Sequence, residues 1–190
     1  MSKKKKLIWI MDDPRFFSGV GTQGREMIMS TLHEYDIAVI AVGINHPEAG
    51  KIVDLSDSIK QTTTIKDAYL RLYPATKYDD ENVIFGVVGA ENPDAICFIT
   101  DPRFYGGLFA IEHQLRNKIP LVYWALWDDL PYPMWNKTGY ASCDAILAIS
   151  KQSNNIHKHV LGADNCCDID GNTFDLAGNK IKNDENKENK

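Results

Sequence analysis

A glycine-rich segment follows the first apolar run of the chain. Gly19, Gly21 and Gly24 have the G-x-G-x-x-G spacing, and Arg25 comes directly after Gly24. Glycines at this spacing, where a helix begins, let backbone N–H groups approach an anion at the positive end of the helix. The pattern predicts a loop that faces a phosphate or a sugar in a cleft.

Two other interpretations of this loop stay open. Dinucleotide binding is disfavoured, because residues 12–18 separate the apolar run from Gly19, whereas a dinucleotide fingerprint turns almost at once. The second apolar run also ends at Val42 without the acidic residue that would bind a ribose. The remaining alternative is a loop that only turns tightly and packs.

Asp101 is the second candidate, in the segment Thr100-Asp101-Pro102-Arg103 after a later apolar run. Polar residues at the carboxyl end of a parallel strand lie where open α/β sheets bind ligands. An equally good interpretation makes Asp101 the N-cap of a helix that has Pro102 at its first position.

Asp128 and Asp129 are the third candidate, since they lie among three tryptophans and a tyrosine in residues 124–135. Flat aromatic rings stack on sugar faces, and carboxylates accept hydrogen bonds from sugar hydroxyl groups. The structural alternative is that the aromatic residues belong to the core and that the two aspartates cap the next helix.

Carboxylates thus follow three separate strands, at residues 12–13, 101 and 128–129. We expect them to converge on one edge of the sheet, and we take Asp101, Asp128 and Asp129 as candidate catalytic residues, because a carboxylate can act as acid or base. The five histidines lie within helical or loop patterns, which favours surface or structurally satisfied positions.

The elements that would position these residues alternate between short apolar runs and helical patterns. This alternation predicts an α/β fold, with a doubly wound, mostly parallel Rossmann-like sheet, over residues 1–164. Residues 165–190 are polar and are expected to form a disordered tail. The predicted strands are 6–11, 37–42, 95–100, 121–126 and 145–149, with a sixth at 58–64. The predicted helices are 22–34, 66–72, 82–90, 105–117 and 151–161.

Composition narrows the partners of the chain. The net charge of −5 offers no general attraction to nucleic acid, because phosphate contacts require concentrated Lys and Arg. No apolar run reaches the length of a membrane span. Cys97, Cys143 and the vicinal pair Cys166 and Cys167 lack zinc-site spacing, so buried thiols are favoured over metal ligands. A cytoplasmic location is the default expectation.

The motifs, taken in order, resemble the N-terminal half of retaining GT-B glycosyltransferases, in particular the group that includes sucrose-phosphate-synthase-like and phage-borne enzymes. The resemblance extends over about residues 5–162. It rests on the Asp-Asp-Pro turn at 12–14, the glycine loop ending at Arg25, Asp101-Pro102, Ile-Pro-Leu-Val-Tyr at 119–123, and Cys-Asp-Ala-Ile-Leu-Ala-Ile-Ser-Lys at 143–151.

The resemblance implies that this half holds an unknown acceptor, while a second domain binds a nucleotide-sugar donor as co-substrate, without any other cofactor. It assigns Gly19 and Gly21 to contact with the donor diphosphate. Where many relatives have a histidine, this chain has Trp127-Asp128-Asp129. We expect a separate donor-binding domain to be needed for activity, because residues after 162 cannot supply one. The alternative is a non-catalytic carbohydrate- or nucleotide-binding module derived from such an enzyme.

Overall fold

A seven-stranded sheet forms the centre of the structure, a computed structural model that describes residues 3–162 and the backbone of residues 173–174 and 180–181. Its strands are β1 (Lys5–Asp12), β2 (Tyr35–Val42), β3 (Val53–Asp54), β4 (Leu70–Ala75), β5 (Ala95–Thr100), β6 (Leu121–Ala125) and β7 (Ala145–Ala148). The strand order is β3-β4-β2-β1-β5-β6-β7, and only the β3–β4 pair is antiparallel. The parallel strands therefore have the doubly wound order, which confirms the predicted fold class.

The helices connect successive strands, as the alternating pattern predicts. They are α1 (Gly19–Thr31), α2 (Ser56–Thr62), α3 (Glu81–Glu91), α4 (Gly106–Ala110), α5 (Glu112–Leu115), α6 (Lys137–Ala141) and α7 (Lys151–Leu161). Two 3-10 turns, Pro102–Tyr105 and Met134–Asn136, precede α4 and α6. The helix predicted over 105–117 is therefore divided into a 3-10 turn and two short helices.

The core has two layers, one on each face of the sheet. Ile8 and Ile10 of β1 pack in one layer, whereas Trp9 and Met11 pack in the other. Successive side chains of a strand point to opposite faces, so a strand covered on both sides must be apolar throughout. This requirement explains why continuous apolar runs identified the four parallel strands β1, β2, β5 and β6.

The predicted strand at 58–64 and the predicted helix at 66–72 are wrong. Residues 56–62 form α2, in which the hydroxyl of Thr62 donates to the carbonyl of Ser58, four residues earlier. The strand β4 follows, with Leu70 and Leu72 buried and Arg71 between them partly exposed. This alternation is typical of a strand, but the segment is too short for the alternation to be distinguished from a helical pattern.

A buried charge network lies toward the amino ends of β1 and β4. The Glu91 carboxylate, at the end of α3, has a side chain that is 1% exposed and an ion pair of 2.7 Å with Lys6. The hydroxyl groups of Tyr69 and Tyr73 donate to the same carboxylate. The network therefore joins α3 to two strands at the edge opposite the loops that follow the parallel strands.

The short strands β8 (Thr173–Phe174) and β9 (Lys180–Ile181) pair with each other in antiparallel fashion. The rest of the tail predicted to be disordered, including Cys166 and Cys167, lies outside the described residues. Among the described residues, no helix combines the length and the apolar character that a membrane crossing requires.

Candidate functional site

The chain turns sharply after β5, at residues 101–104, which we call the second turn. The Asp101 carboxylate accepts a hydrogen bond of 2.9 Å from the backbone N–H of Arg103 and forms a bidentate pair with its guanidinium, with Nη2–Oδ2 at 2.6 Å. Asp101 is the N-cap of a 3-10 turn that has Pro102 at its start, so the capping interpretation is confirmed. Burial raises the pKa of Asp101, but the hydrogen bonds from Arg103 outweigh it and hold the pKa below its usual value.

Thr100 precedes this turn in an unusual backbone conformation. Its φ is 139°, a value that β-branched residues rarely adopt. Its carbonyl oxygen accepts a hydrogen bond of 2.7 Å from the buried hydroxyl of Tyr123, in the neighbouring strand β6. Strained backbone of this kind persists where surrounding groups hold it, and it is concentrated at functional sites.

A pocket of about 360 Å³ lies beside the second turn, at the carboxyl ends of β5 and β6. The structure thus brings together the three predicted catalytic aspartates at one edge of the sheet. Trp127 contributes an indole to the same pocket, and the Arg103 guanidinium carbon lies 5.5 Å from the centroid of that ring. The lining residues are Thr100, Asp101, Arg103, Leu126, Trp127, Asp128 and Asp129.

The loop after β6 carries Asp128 and Asp129, and both residues are exposed. They do not cap the next helical turn, which begins only at Met134 and has Pro133 before it. The structural alternative for these two aspartates is therefore wrong. Side chains hold the loop through its backbone carbonyls. The Trp127 indole N–H donates to the Asp129 carbonyl at 3.0 Å, and the Gln152 amide donates to the Asp128 carbonyl at 2.6 Å.

The glycine loop lies apart from this pocket, since none of Gly19, Gly21, Gly24 and Arg25 lines it. Helix α1 begins at Gly19, and the Ser18 hydroxyl caps it by accepting a hydrogen bond of 2.9 Å from the Gly21 N–H. Arg25 donates to the carbonyl of Pro14 at 3.2 Å. The three aspartates therefore share a pocket that the glycines do not line, although the loops after β1 and β5 lie at the same edge of the sheet.

Gly21 and Gly24 are buried against the chain itself. A Cβ atom on Gly21 would lie 2.9 Å from the Asp13 carbonyl oxygen, and one on Gly24 would lie 1.8 Å from Cε of Met11. Gly19 differs, because a Cβ there would have open space around it. Tight packing accounts for two of the three glycines, as the packing alternative predicts, and only Gly19 has room for an approaching ligand.

Asp13, after β1, is fully buried and belongs to a polar network. Its carboxylate forms a bidentate pair with Arg15, with Nη2–Oδ2 at 2.7 Å, and Oδ2 also lies 2.8 Å from Nε2 of His46. The Glu48 carboxylate lies 2.7 Å from the same Arg15 nitrogen, and the Glu48 N–H donates to Nδ1 of His46. Because Nδ1 of His46 accepts from the Glu48 N–H, Nε2 is the ring nitrogen that donates to Asp13. Burial raises the pKa of Asp13, but the hydrogen bonds from Arg15 and His46 outweigh this effect and hold the pKa below its usual value.

These two turns form a short internal repeat that sequence reasoning missed. Asp-Pro-Arg-Phe occurs at residues 13–16, which we call the first turn, and again at 101–104. The turns follow β1 and β5, which are neighbours in the sheet. Their Asp–Arg pairs agree closely, with Nη2–Oδ2 distances of 2.7 and 2.6 Å. The identical tetrapeptides were the signal that could have revealed the relationship.

Tyr78 joins the ends of these two neighbouring strands. Its hydroxyl donates to the Asp12 carboxylate at the end of β1, while its ring lies 5.4 Å from Phe104 and 5.7 Å from Tyr105 after β5. Burial and the hydrogen bond to Asp12 raise the pKa of Tyr78, so its hydroxyl stays protonated. In doubly wound sheets the usual ligand site is the crevice between the two strands where the strand order reverses, here β1 and β5. In this protein the Tyr78 side chain bridges that crevice.

Comparisons with known proteins leave the site to be interpreted from its geometry. No protein-family model, no curated protein and no solved structure matches the chain. In the described part of the chain, no group of three or more His, Cys, Asp or Glu side chains is arranged to hold a metal ion.

Proposed function

We propose that this chain is the acceptor-side half of a nucleotide-sugar-dependent glycosyltransferase, and that the pocket at β5 and β6 holds the acceptor sugar. One observation carries the proposal: Asp101, Asp128 and Asp129 line the same pocket as the Trp127 indole. Aromatic rings stack on the apolar faces of sugars, and carboxylates accept hydrogen bonds from sugar hydroxyl groups.

The position and size of the pocket support this proposal. Ligands of open α/β sheets bind outside the carboxyl ends of the strands, and this pocket lies at the ends of β5 and β6. A volume of about 360 Å³ is at the small end of the range for ligand sites, which suits a small, compact ligand. Tyr78 bridges the neighbouring crevice between β1 and β5, so the free space lies one strand further along.

The pocket residues have separate tasks in the proposed reaction. Trp127 stacks on the acceptor ring, and Asp128 or Asp129 accepts the proton of the attacking hydroxyl group. The acceptor oxygen forms a bond to the anomeric carbon of the donor sugar, while the bond from that carbon to the nucleoside diphosphate breaks. The donor is bound by a separate domain, and Gly19 is the loop residue with space to approach its diphosphate.

Calorimetric titration of the full chain with a panel of sugars tests the first part of the proposal. We expect at least one sugar to bind and Trp127→Ala to abolish that binding. Phe85→Ala is the matched control, because Phe85 is 38% exposed on α3 and does not line the pocket. If no sugar binds, or if the Trp127 variant binds as well as the unchanged chain, the proposal is wrong.

A second candidate function, carbohydrate binding without sugar transfer, is favoured by the packing of Gly21 and Gly24 against the chain itself. Nuclear magnetic resonance of the full chain separates the two candidates. A shift of the Gly19 amide signal on addition of a nucleoside diphosphate, lost in Gly19→Val, supports the transferase. Sugar binding at Trp127 without any response of the Gly19 amide supports the binding module.

A further inference from the structure

The first turn shows which groups complete an Asp–Arg pair of this geometry. Besides pairing with each other, Asp13 accepts a hydrogen bond of 2.8 Å at Oδ2 from His46, and Arg15 contacts the Glu48 carboxylate through Nη2 at 2.7 Å. The chain thus supplies one donor to the aspartate and one acceptor to the arginine. Both additional partners come from the loop after β2.

The second turn has the same Asp–Arg pair without these two partners. Within residues 3–162, the Asp101 carboxylate accepts hydrogen bonds only from Arg103, and Arg103 forms an ion pair only with Asp101. The Arg103 side chain is 67% exposed, whereas that of Arg15 is 33% exposed. Asp101 and Arg103 both line the pocket. One donor position and one acceptor position are therefore left for a bound ligand.

We infer that the pocket binds a sugar without negative charge through two neighbouring hydroxyl groups. One hydroxyl donates to Oδ2 of Asp101, as His46 does in the first turn. The adjacent oxygen accepts from Nη2 of Arg103, as the Glu48 carboxylate does there. The inference rests on the proposed function, because it names the class of sugar that binds at the same site.

The charge of the pocket decides between a neutral and an acidic sugar. Three carboxylates and one guanidinium line it, which leaves an excess of two negative charges. Asp128 and Asp129 would repel a carboxylate or phosphate that approached Arg103, since like charges in a cleft destabilise one another. A hydroxyl oxygen satisfies the guanidinium without this repulsion, and it also provides the donor that Asp101 lacks.

The guanidinium is also held in place before a ligand arrives. The bidentate contact with Asp101 fixes its plane, and the Trp127 ring lies 5.5 Å from its central carbon. An arginine side chain held in this way loses little conformational freedom when its guanidinium binds a ligand. Lysine would keep the charge but lose the bidentate geometry.

Calorimetry on the full chain tests the predicted class of sugar. The probes are the methyl pyranosides of glucose, galactose and mannose, each compared with its uronic acid and its 6-phosphate. We expect the acidic forms to bind at least about tenfold more weakly than the neutral sugar at low salt. Added salt should narrow this difference, because it screens exposed charges. Equal or tighter binding of an acidic form would overturn the inference.

Two variants test the residues named in the inference. Arg103→Lys and Asp101→Asn should each weaken binding of the neutral sugar by about tenfold or more, since each disrupts a charge-assisted hydrogen bond. Arg116→Lys is the matched control, because Arg116 pairs with Asp144 outside the pocket.

The possible results separate this inference from the proposed function. Neutral sugar that binds through Trp127 and is unaffected by Arg103→Lys overturns the inference and leaves the function standing. Absence of binding by every sugar overturns the proposed function itself. Thermal unfolding of each variant confirms that a loss of binding is not a loss of folding.

Discussion

The buried hydroxyl of Tyr123 donates a hydrogen bond of 2.7 Å to the carbonyl oxygen of Thr100. Thr100 ends β5, has a φ of 139° and forms part of the pocket wall. The hydrogen bond therefore connects the aromatic core beneath the sheet to the strained backbone that precedes Asp101. A change in the core at this point should affect the pocket.

Tyr123→Phe tests this connection. The variant leaves the Thr100 carbonyl without its donor in a buried setting, so we expect the free energy of unfolding to fall by about 1–3 kcal/mol. Urea denaturation measures the effect. Tyr132→Phe is the control, because Tyr132 is 37% exposed and does not line the pocket, and its effect should stay within about 0.5 kcal/mol. Equal stability of the two variants would show that the hydrogen bond does not support Thr100.

The two glycines at the start of α1 should respond to alanine in opposite directions. Gly19→Ala adds a methyl group in open space at the first residue of α1 and should stabilise the protein by about 0.4–1 kcal/mol, because alanine has less conformational freedom in the unfolded chain. Gly21→Ala places the methyl group 2.9 Å from the Asp13 carbonyl and should destabilise it by about 1–3 kcal/mol. Thermal unfolding of the pair measures both effects, and a stabilised Gly21 variant would contradict the packing described for this loop.

His157 should make the protein sensitive to mild acid. The residue is 1% exposed, and neither ring nitrogen has a hydrogen-bond partner among the described residues. Burial lowers the pKa of His157 to about 4. The unfolded chain, with a pKa of about 6.5, then binds more protons between pH 4 and 6.5, so stability falls as the pH drops through this range. The contribution of this group between pH 7 and pH 5 is about 2 kcal/mol.

His157→Leu should remove this part of the pH dependence. Leucine has no unpartnered nitrogen to bury, so the variant should be at least as stable as the unchanged chain at pH 7. Urea denaturation at pH 7 and pH 5 measures the difference. His113→Gln is the control, because His113 is exposed and its replacement should leave the pH dependence intact. If the Leu variant loses as much stability at pH 5 as the unchanged chain, His157 is not responsible.

Glu91, an acidic group, should also contribute stability that is lost in acid. Burial raises the pKa of Glu91. The hydrogen bonds from Lys6, Tyr73 and Tyr69 together lower it by more than burial raises it, so the folded pKa lies below the usual value. The contribution is therefore complete above the unfolded pKa and is lost as the pH falls through the folded pKa. Glu91→Gln should cost about 1.5–3 kcal/mol at pH 7, because it weakens charge-assisted hydrogen bonds.

The measurement for Glu91 is the difference in unfolding free energy between the Gln variant and the unchanged chain. This difference should shrink as the pH falls below about 4.3, the ordinary pKa of glutamate. Glu26→Gln serves as the comparison, since the Glu26 side chain is 76% exposed. A constant difference from pH 7 to pH 3 would show that the buried carboxylate does not act through its charge.

The sequence predicted the central parallel strands β1, β2, β5 and β6 well because core side chains cover both of their faces. A continuous apolar run such as Ala95–Thr100 has few alternatives inside a protein of this size, and its bounds were predicted without error. Residues 56–75 failed for a different reason. The alternation at Leu70 and Leu72 is short, and the preceding threonines favour strands by propensity although their hydroxyls bond to a helical backbone here.

The candidate site was predicted only where strand position alone decides the arrangement. Asp101, Asp128 and Asp129 meet because strands β5 and β6 are neighbours with parallel ends. The buried state of Asp13 depends on His46, Arg15 and Glu48, and that assembly requires tertiary contacts that no local pattern expresses. The bridge from Tyr78 to Asp12 spans 66 residues and is hidden from the sequence for the same reason.

The Glu91 network and the pocket at β5 and β6 lie at opposite edges of one sheet. Substitutions in the loops after β5 and β6 would change the pocket at one edge, while the buried charges at the other edge keep α3 fixed to β1 and β4. Such a division would let an engineer alter the pocket by changing a few loop residues. The fold should tolerate such changes, because its stability depends on other residues.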